Sequence, residues 1–186
     1  MKKGRFILLA IGLVAMMLTS CLTVEKKQYT FEFTGKNSGN LTIKYVNIMS
    51  IVDSAGYTEV QDFDELVSSY INGSKIEEAY PGATNITKKL FEEDGVLCAE
   101  VKMNFPDLAS ARLYLCDKKG PYGFYASSVD GETYIESNGN YGGDFMPCVF
   151  WNTKMKTLTV TTSVSKPTDD TYVSLLQEYV KWKKKN

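Results

Sequence analysis

Tyr29-Thr30-Phe31-Glu32-Phe33-Thr34-Gly35-Lys36-Asn37-Ser38-Gly39-Asn40-Leu41-Thr42-Ile43-Lys44-Tyr45 sets the architecture. Tyr29, Phe31 and Phe33 alternate with Thr30, Glu32 and Thr34, the two-residue period of a strand with one buried face. Gly35 to Gly39 is turn chemistry, and Leu41, Ile43 and Tyr45 resume the alternation. This is a β-hairpin. Its second strand continues apolar from Ile48 to Val52, so its far end is buried on both sides or bulged near Asn47.

Downstream, Asp62 and Glu65 stand at capping-box spacing. Phe63, Leu66, Val67, Tyr70 and Ile71 fall at helical intervals, and Gly73 stops the helix. Residues 76–80 add a turn before Pro81-Gly82 breaks it. A second hairpin pairs 85–92 with 96–105 across Asp94-Gly95. In its return strand Leu97, Ala99, Val101, Met103 and Phe105 share one face, which puts Cys98 on the wetter one. Short strands follow at 113–116, 123–127, 133–136 and 145–151, separated by Gly120-Pro121, Asp130-Gly131 and 138–144. Leu158, Val160, Thr162 and Val164 make another strand. Tyr172, Leu175, Leu176, Tyr179 and Val180 form the apolar stripe of a closing helix. The order predicts one α+β domain over residues 29–186: an antiparallel sheet with an internal helix and a C-terminal helix on one face.

Upstream, Met1-Lys2-Lys3-Gly4-Arg5 is cationic and 6–18 is almost wholly apolar. The run is shorter than the ~20 residues of a spanning helix. It has the form of an export signal. It closes on Leu18-Thr19-Ser20-Cys21, which resembles the lipobox of bacterial lipoproteins. The resemblance implies cleavage before Cys21 and acylation of that residue, so residues 1–20 are a signal peptide and 21–28 a tether. Leu22 after the cysteine, in place of aspartate, implies the outer membrane over the inner. With Gly120-Pro121-Tyr122 and Tyr141-Gly142-Gly143-Asp144, the mature part resembles small uncharacterised envelope lipoproteins, a likeness that carries no activity to transfer.

Removal of Lys2, Lys3 and Arg5 with the signal leaves eighteen basic residues against twenty-two acidic, a net charge of −4. That balance excludes nucleic acid as the expected partner. The four lysines between 181 and 185 suit a helix C-terminus, where the dipole favours cations. The chain has no histidine. Ser-His-Asp and Cys-His catalysis and histidine zinc sites are therefore excluded. No cofactor or metal motif is present. Beyond Cys21, three cysteines remain. Odd parity leaves at least one of Cys98, Cys116 and Cys148 free or bridged to another molecule, and Cys98 with Cys116 is the expected disulfide, both lying opposite the apolar faces of their strands.

Asn138-Gly139-Asn140-Tyr141-Gly142-Gly143-Asp144 mixes glycines, polar groups and an aromatic, as a ligand-binding loop would. A tight turn feeding a core strand explains the same residues. The expected site is a cleft edged by Asn140, Tyr141 and Asp144 with Tyr122 nearby, while Trp151 lies at a core parity. These readings converge on a lipid-anchored envelope module that binds a glycan, peptide or envelope protein. The alternative is a histidine-free hydrolase or lyase using carboxylates and tyrosine, which needs two carboxylates ~5–9 Å apart.

Overall fold

The structure is a computed structural model that describes residues 22–52, 58–127, 131–164 and 171–186. Residues 1–21, with the signal peptide and Cys21, lie outside them. The strands are β1 (Leu22–Phe33), β2 (Gly39–Val52), β3 (Thr84–Glu93), β4 (Val96–Phe105), β5 (Leu113–Leu115), β6 (Tyr122–Tyr125), β7 (Glu132–Ser137), β8 (Asn140–Tyr141), β9 (Cys148–Trp151), β10 (Thr157–Val164) and β11 (Thr171–Ser174). The helices are α1 (Glu59–Glu65), α2 (Lys75–Ala79) and α3 (Leu176–Lys185). This is a single α+β domain, mainly antiparallel, with an internal and a C-terminal helix.

The chain builds two sheets where its pattern predicts one. The larger runs β3-β4-β2-β1-β10-β7, with β11 added to β2; the smaller runs β5-β6-β9-β8. The smaller sheet and the helices cover the apolar side of the larger. Phe33 stacks on Tyr122 at 4.6 Å between ring centres, and Tyr29 meets Phe124 at 5.1 Å. Phe31, Leu41, Ile43, Val101, Met103 and Val149 are buried between the layers. Ile76 and Tyr80 of α2 join this core, while Phe63, Leu66, Leu175 and Tyr179 make a second cluster with Ile48 and Leu97. The reverse side of the larger sheet carries Thr30, Thr42, Lys44, Lys102 and Thr159, none of them buried.

Three elements differ from expectation. Within the expected 21–28 tether, residues 22–28 are not free chain, because β1 starts at Leu22, paired with Ser50. Its polarity reflects a strand with one solvent face. The helix starts earlier, at Thr58, whose side chain accepts from Gln61 N while Gln61 reaches back, so the capping box is Thr58/Gln61. Asp62 is instead buried, accepting from Ser50. The helix continues as a π-helical segment, Leu66–Ile71, with Asn72 N bonding Val67 O at 2.9 Å. Finally, β11 precedes the closing helix, so Tyr172 belongs to a strand.

Of the two readings of β2, burial on both sides of its far end holds: Ile48, Met49 and Ser50 are all buried, and the β1–β2 register runs unbroken past Asn47, so no bulge interrupts that pair. Asn47 adopts φ +57°, a left-handed conformation that asparagine tolerates better than most residues. β2 pairs with β4 as far as Tyr45 and with β11 from Met49 onward. Core positions step from Leu41, Ile43 and Tyr45 to Ile48, a one-residue change of parity. β1 changes with it, from Tyr29, Phe31 and Phe33 to Val24 and Leu22.

Candidate functional site

The expected site residues separate. Tyr122 is buried at 4% exposure, and its hydroxyl donates to Lys36 O at 2.9 Å. Tyr141 faces inward beside Val149 and stacks on Tyr134 at 3.9 Å, with planes 4° apart. Asp144 lies close enough that, after burial of the ring, its charge raises the Tyr141 phenol pKa. Asn140 is exposed on the opposite side of β8. Tyr141 and Asp144 therefore meet, but Tyr122 belongs to another region and no shared cleft forms from the four.

Asn138 and Gly139, before the expected site, hold the fold together. A Cβ on Gly139 would come within 2.5 Å of Trp151 Nε1. Asn138 Oδ1 accepts from Trp151 Nε1 and from Thr159 N, both at 2.8 Å, and its Nδ2 donates to Thr157 O. One side chain thereby joins the small sheet to the large one. Trp151 is core, at 1% exposure. Gly143 supplies a turn at φ +91°.

What the loop exposes comes just after the expected site. The pattern predicts a strand from 145, but β9 begins at Cys148 and Phe145 projects from the tip, wholly exposed. Met146 is also exposed. On the outer face of the small sheet, Tyr114 lies across Gly123, where a Cβ would meet its ring at 2.4 Å. Gly123 pairs with Phe150, and Tyr125 with Cys148. Phe150 and Met146 converge on Gly142. Register thus puts Tyr114, Tyr125 and Phe150 on one side of the small sheet, Met146 approaches Phe150 at Gly142, and Phe145 stands next to Met146 in the tip between β8 and β9.

No family model, curated protein or solved structure matches this chain.

Among the described residues, Cys98, Cys116 and Cys148 are all free thiols. The expected Cys98–Cys116 bridge is absent: Cys98 is buried in β4 of the larger sheet, and Cys116 is exposed just beyond β5 of the smaller one. Cys98 has the predicted parity but is buried, opposite Phe91 in the β3 ladder. Burial raises its thiol pKa, against the lowering effect of the Asn47 backbone and Lys44. Cys116 is exposed beyond β5, and the charge of Cys148 is among the causes that raise its pKa, after burial.

Buried carboxylates matter for the catalytic alternative. Glu132 accepts from Lys27 Nζ at 2.6 Å, Thr162 Oγ1 at 2.7 Å and the Tyr29 hydroxyl at 3.2 Å. Asp62 is held separately by Ser50. Beside Glu132 a cleft of about 450 Å³ is lined by Tyr29, Tyr45, Tyr70 and Tyr80, with Arg112 over the Tyr80 ring. Neither Glu132 nor Asp62 lines it. Burial, above all, pushes the Tyr29 and Tyr45 phenols far above their ordinary pKa, which suits neither to base catalysis. Among the described residues no three metal-ligating side chains group together.

Proposed function

We propose that this chain is a lipid-anchored envelope protein, attached at Cys21 to the outer membrane, that acts without catalysis as an interaction module for a peptide or envelope protein. The carrying observation is the tip between β8 and β9, where Phe145 stands fully in solvent next to the exposed Met146. Fully burying such a side chain is worth about 1.5–3 kcal/mol, so a partner that covers both recovers energy the monomer leaves unused. Contiguous apolar patches on soluble domains mark interaction sites more often than solitary exposed residues do. Phenylalanine and methionine at the tip favour a protein surface over a glycan, whose hydroxyls need polar partners beside the rings. The catalytic alternative has no support in the described residues: Glu132 is one carboxylate with its oxygens occupied.

A photoreactive phenylalanine analogue at position 145 tests this in cells. A discrete protein adduct is expected from position 145 and none from the same analogue at Thr157, on the polar face. No adduct at 145, or equal labelling at both positions, contradicts the proposal. The paired variant Phe145→Ser with Met146→Ser should abolish binding of the adducted protein while shifting stability by no more than about 0.5 kcal/mol, as an exposed substitution does.

A further inference from the structure

Lysines with and without carboxylate partners divide this molecule by region. Lys26, Lys27, Lys44, Lys75, Lys88, Lys89, Lys102 and Lys181 all make salt bridges. Of the described lysines without one, three close α3, where the helix dipole accounts for them. The other five are Lys36, Lys118, Lys119, Lys154 and Lys156. Four of these line a single cleft of about 440 Å³, and Lys154 stands in the turn that forms its wall. No acidic side chain lines the cleft. The nearest in sequence, Asp117, uses Oδ1 to accept from Lys119 N at 2.6 Å.

The turns that carry these lysines are fastened. Tyr122 on the cleft floor bonds Lys36 O, and Thr153 Oγ1 donates to Lys119 O at 3.4 Å. A Cβ on Gly120 would press to 2.4 Å from Thr153 Cγ2, so the second and third turns are in direct contact. Five like charges around one concavity repel each other, and a bound anion relieves that repulsion.

We propose that this cleft binds a multivalent phosphate-bearing anion. Ammonium groups act as point charges, as lysines do at phosphate sites, and several converging on one concavity favour a ligand that carries several negative charges close together, as linked phosphates do. β1 leads from Leu22 to the turn holding Lys36; its 12 residues reach ~35–40 Å at the rise of a strand. The cleft therefore lies at the opposite end of β1 from Cys21. If Cys21 is anchored as proposed above, the ligand is a soluble or polymer-borne phosphate group and not a headgroup of the anchoring leaflet. The anion site itself does not depend on that anchor.

Inorganic tripolyphosphate is the probe, titrated calorimetrically into the full chain in nonionic detergent. One site is expected, weakening as sodium chloride rises. Lys118→Gln, Lys119→Gln and Lys156→Gln together should weaken it tenfold or more. Lys183→Gln, Lys184→Gln and Lys185→Gln together should leave it unchanged. The cleft substitutions are on exposed side chains, and matched melting curves will show that the fold persists. Absence of binding, or equal loss in both triple variants, overturns the proposal. Cys21→Ser should bind the probe as tightly as the parent, so a failed anchor and a failed anion site are distinguishable. Phosphatidylglycerol vesicles form the second arm. Sedimentation with vesicles that is unaffected by the cleft substitutions supports a non-lipid source; sedimentation that is lost with them overturns it.

Discussion

At the scale of single residues, exposure and environment separate the three thiols. Cys116 is exposed, whereas Cys98 and Cys148 are buried. Burial, then Cys148 and Asp117, raise the Cys116 pKa, so its thiolate becomes abundant only above the ordinary thiol range of about 8.5. Iodoacetamide should therefore modify Cys116 first, faster as pH rises from 7 to 9, and reach Cys98 only on unfolding. Peptide mass spectrometry over time checks this; Cys98 labelled at the Cys116 rate in folded protein would refute it. The sequence pattern placed Cys98 on the right side of its strand but could not show that Phe91 stands opposite. The loop around residue 140 that the pattern singled out leads into the exposed Phe145 and Met146, whereas the expected Tyr141 stacks on Tyr134 and Tyr122 is buried. Gly139 and Asn138 resemble ligand-loop residues because packing against Trp151 makes the same demands: a missing Cβ and a free amide.

At the scale of elements, the β1–β2 pair governs the larger sheet and buries two phenols, Tyr29 and Tyr45, against the helices. Both pKa values are raised, chiefly by burial. Near pH 10 the unfolded chain begins to release phenolic protons that the folded chain still holds, so the folded state binds more protons and stability falls as pH rises. Each tyrosine that stays protonated costs up to about 1.4 kcal/mol per pH unit above 10. Urea unfolding at pH 9, 10 and 11 should show this decline, and Tyr45→Phe should flatten it in part while leaving the Tyr29 contribution in place. Identical slopes in parent and variant would contradict the assignment. The hairpin was legible because its alternation is strict. β11 was not, because Tyr172, Leu175, Leu176 and Tyr179 also fit a helical stripe and strand pairing with Met49–Val52 depends on residues far away in sequence.

At the scale of the whole molecule, α+β class follows from composition of the elements in order, and the structure has it. The division into two sheets does not follow, because β5, β6 and β9 have three or four residues each, too few for periodicity to assign a partner. Their partition is decided by contacts such as Phe33 on Tyr122, which join residues nearly ninety positions apart. β1 gives the molecule a polarity: its start follows Cys21 directly, and its end leads into the lysine cleft. Attachment at Cys21 is the claim on which the proposed display of both surfaces depends. Mass spectrometry of the N-terminal peptide from membrane-extracted protein tests it most directly. The account predicts a chain beginning at Cys21 and carrying a diacylglyceryl thioether; a peptide that begins upstream, or an unmodified Cys21, would contradict it.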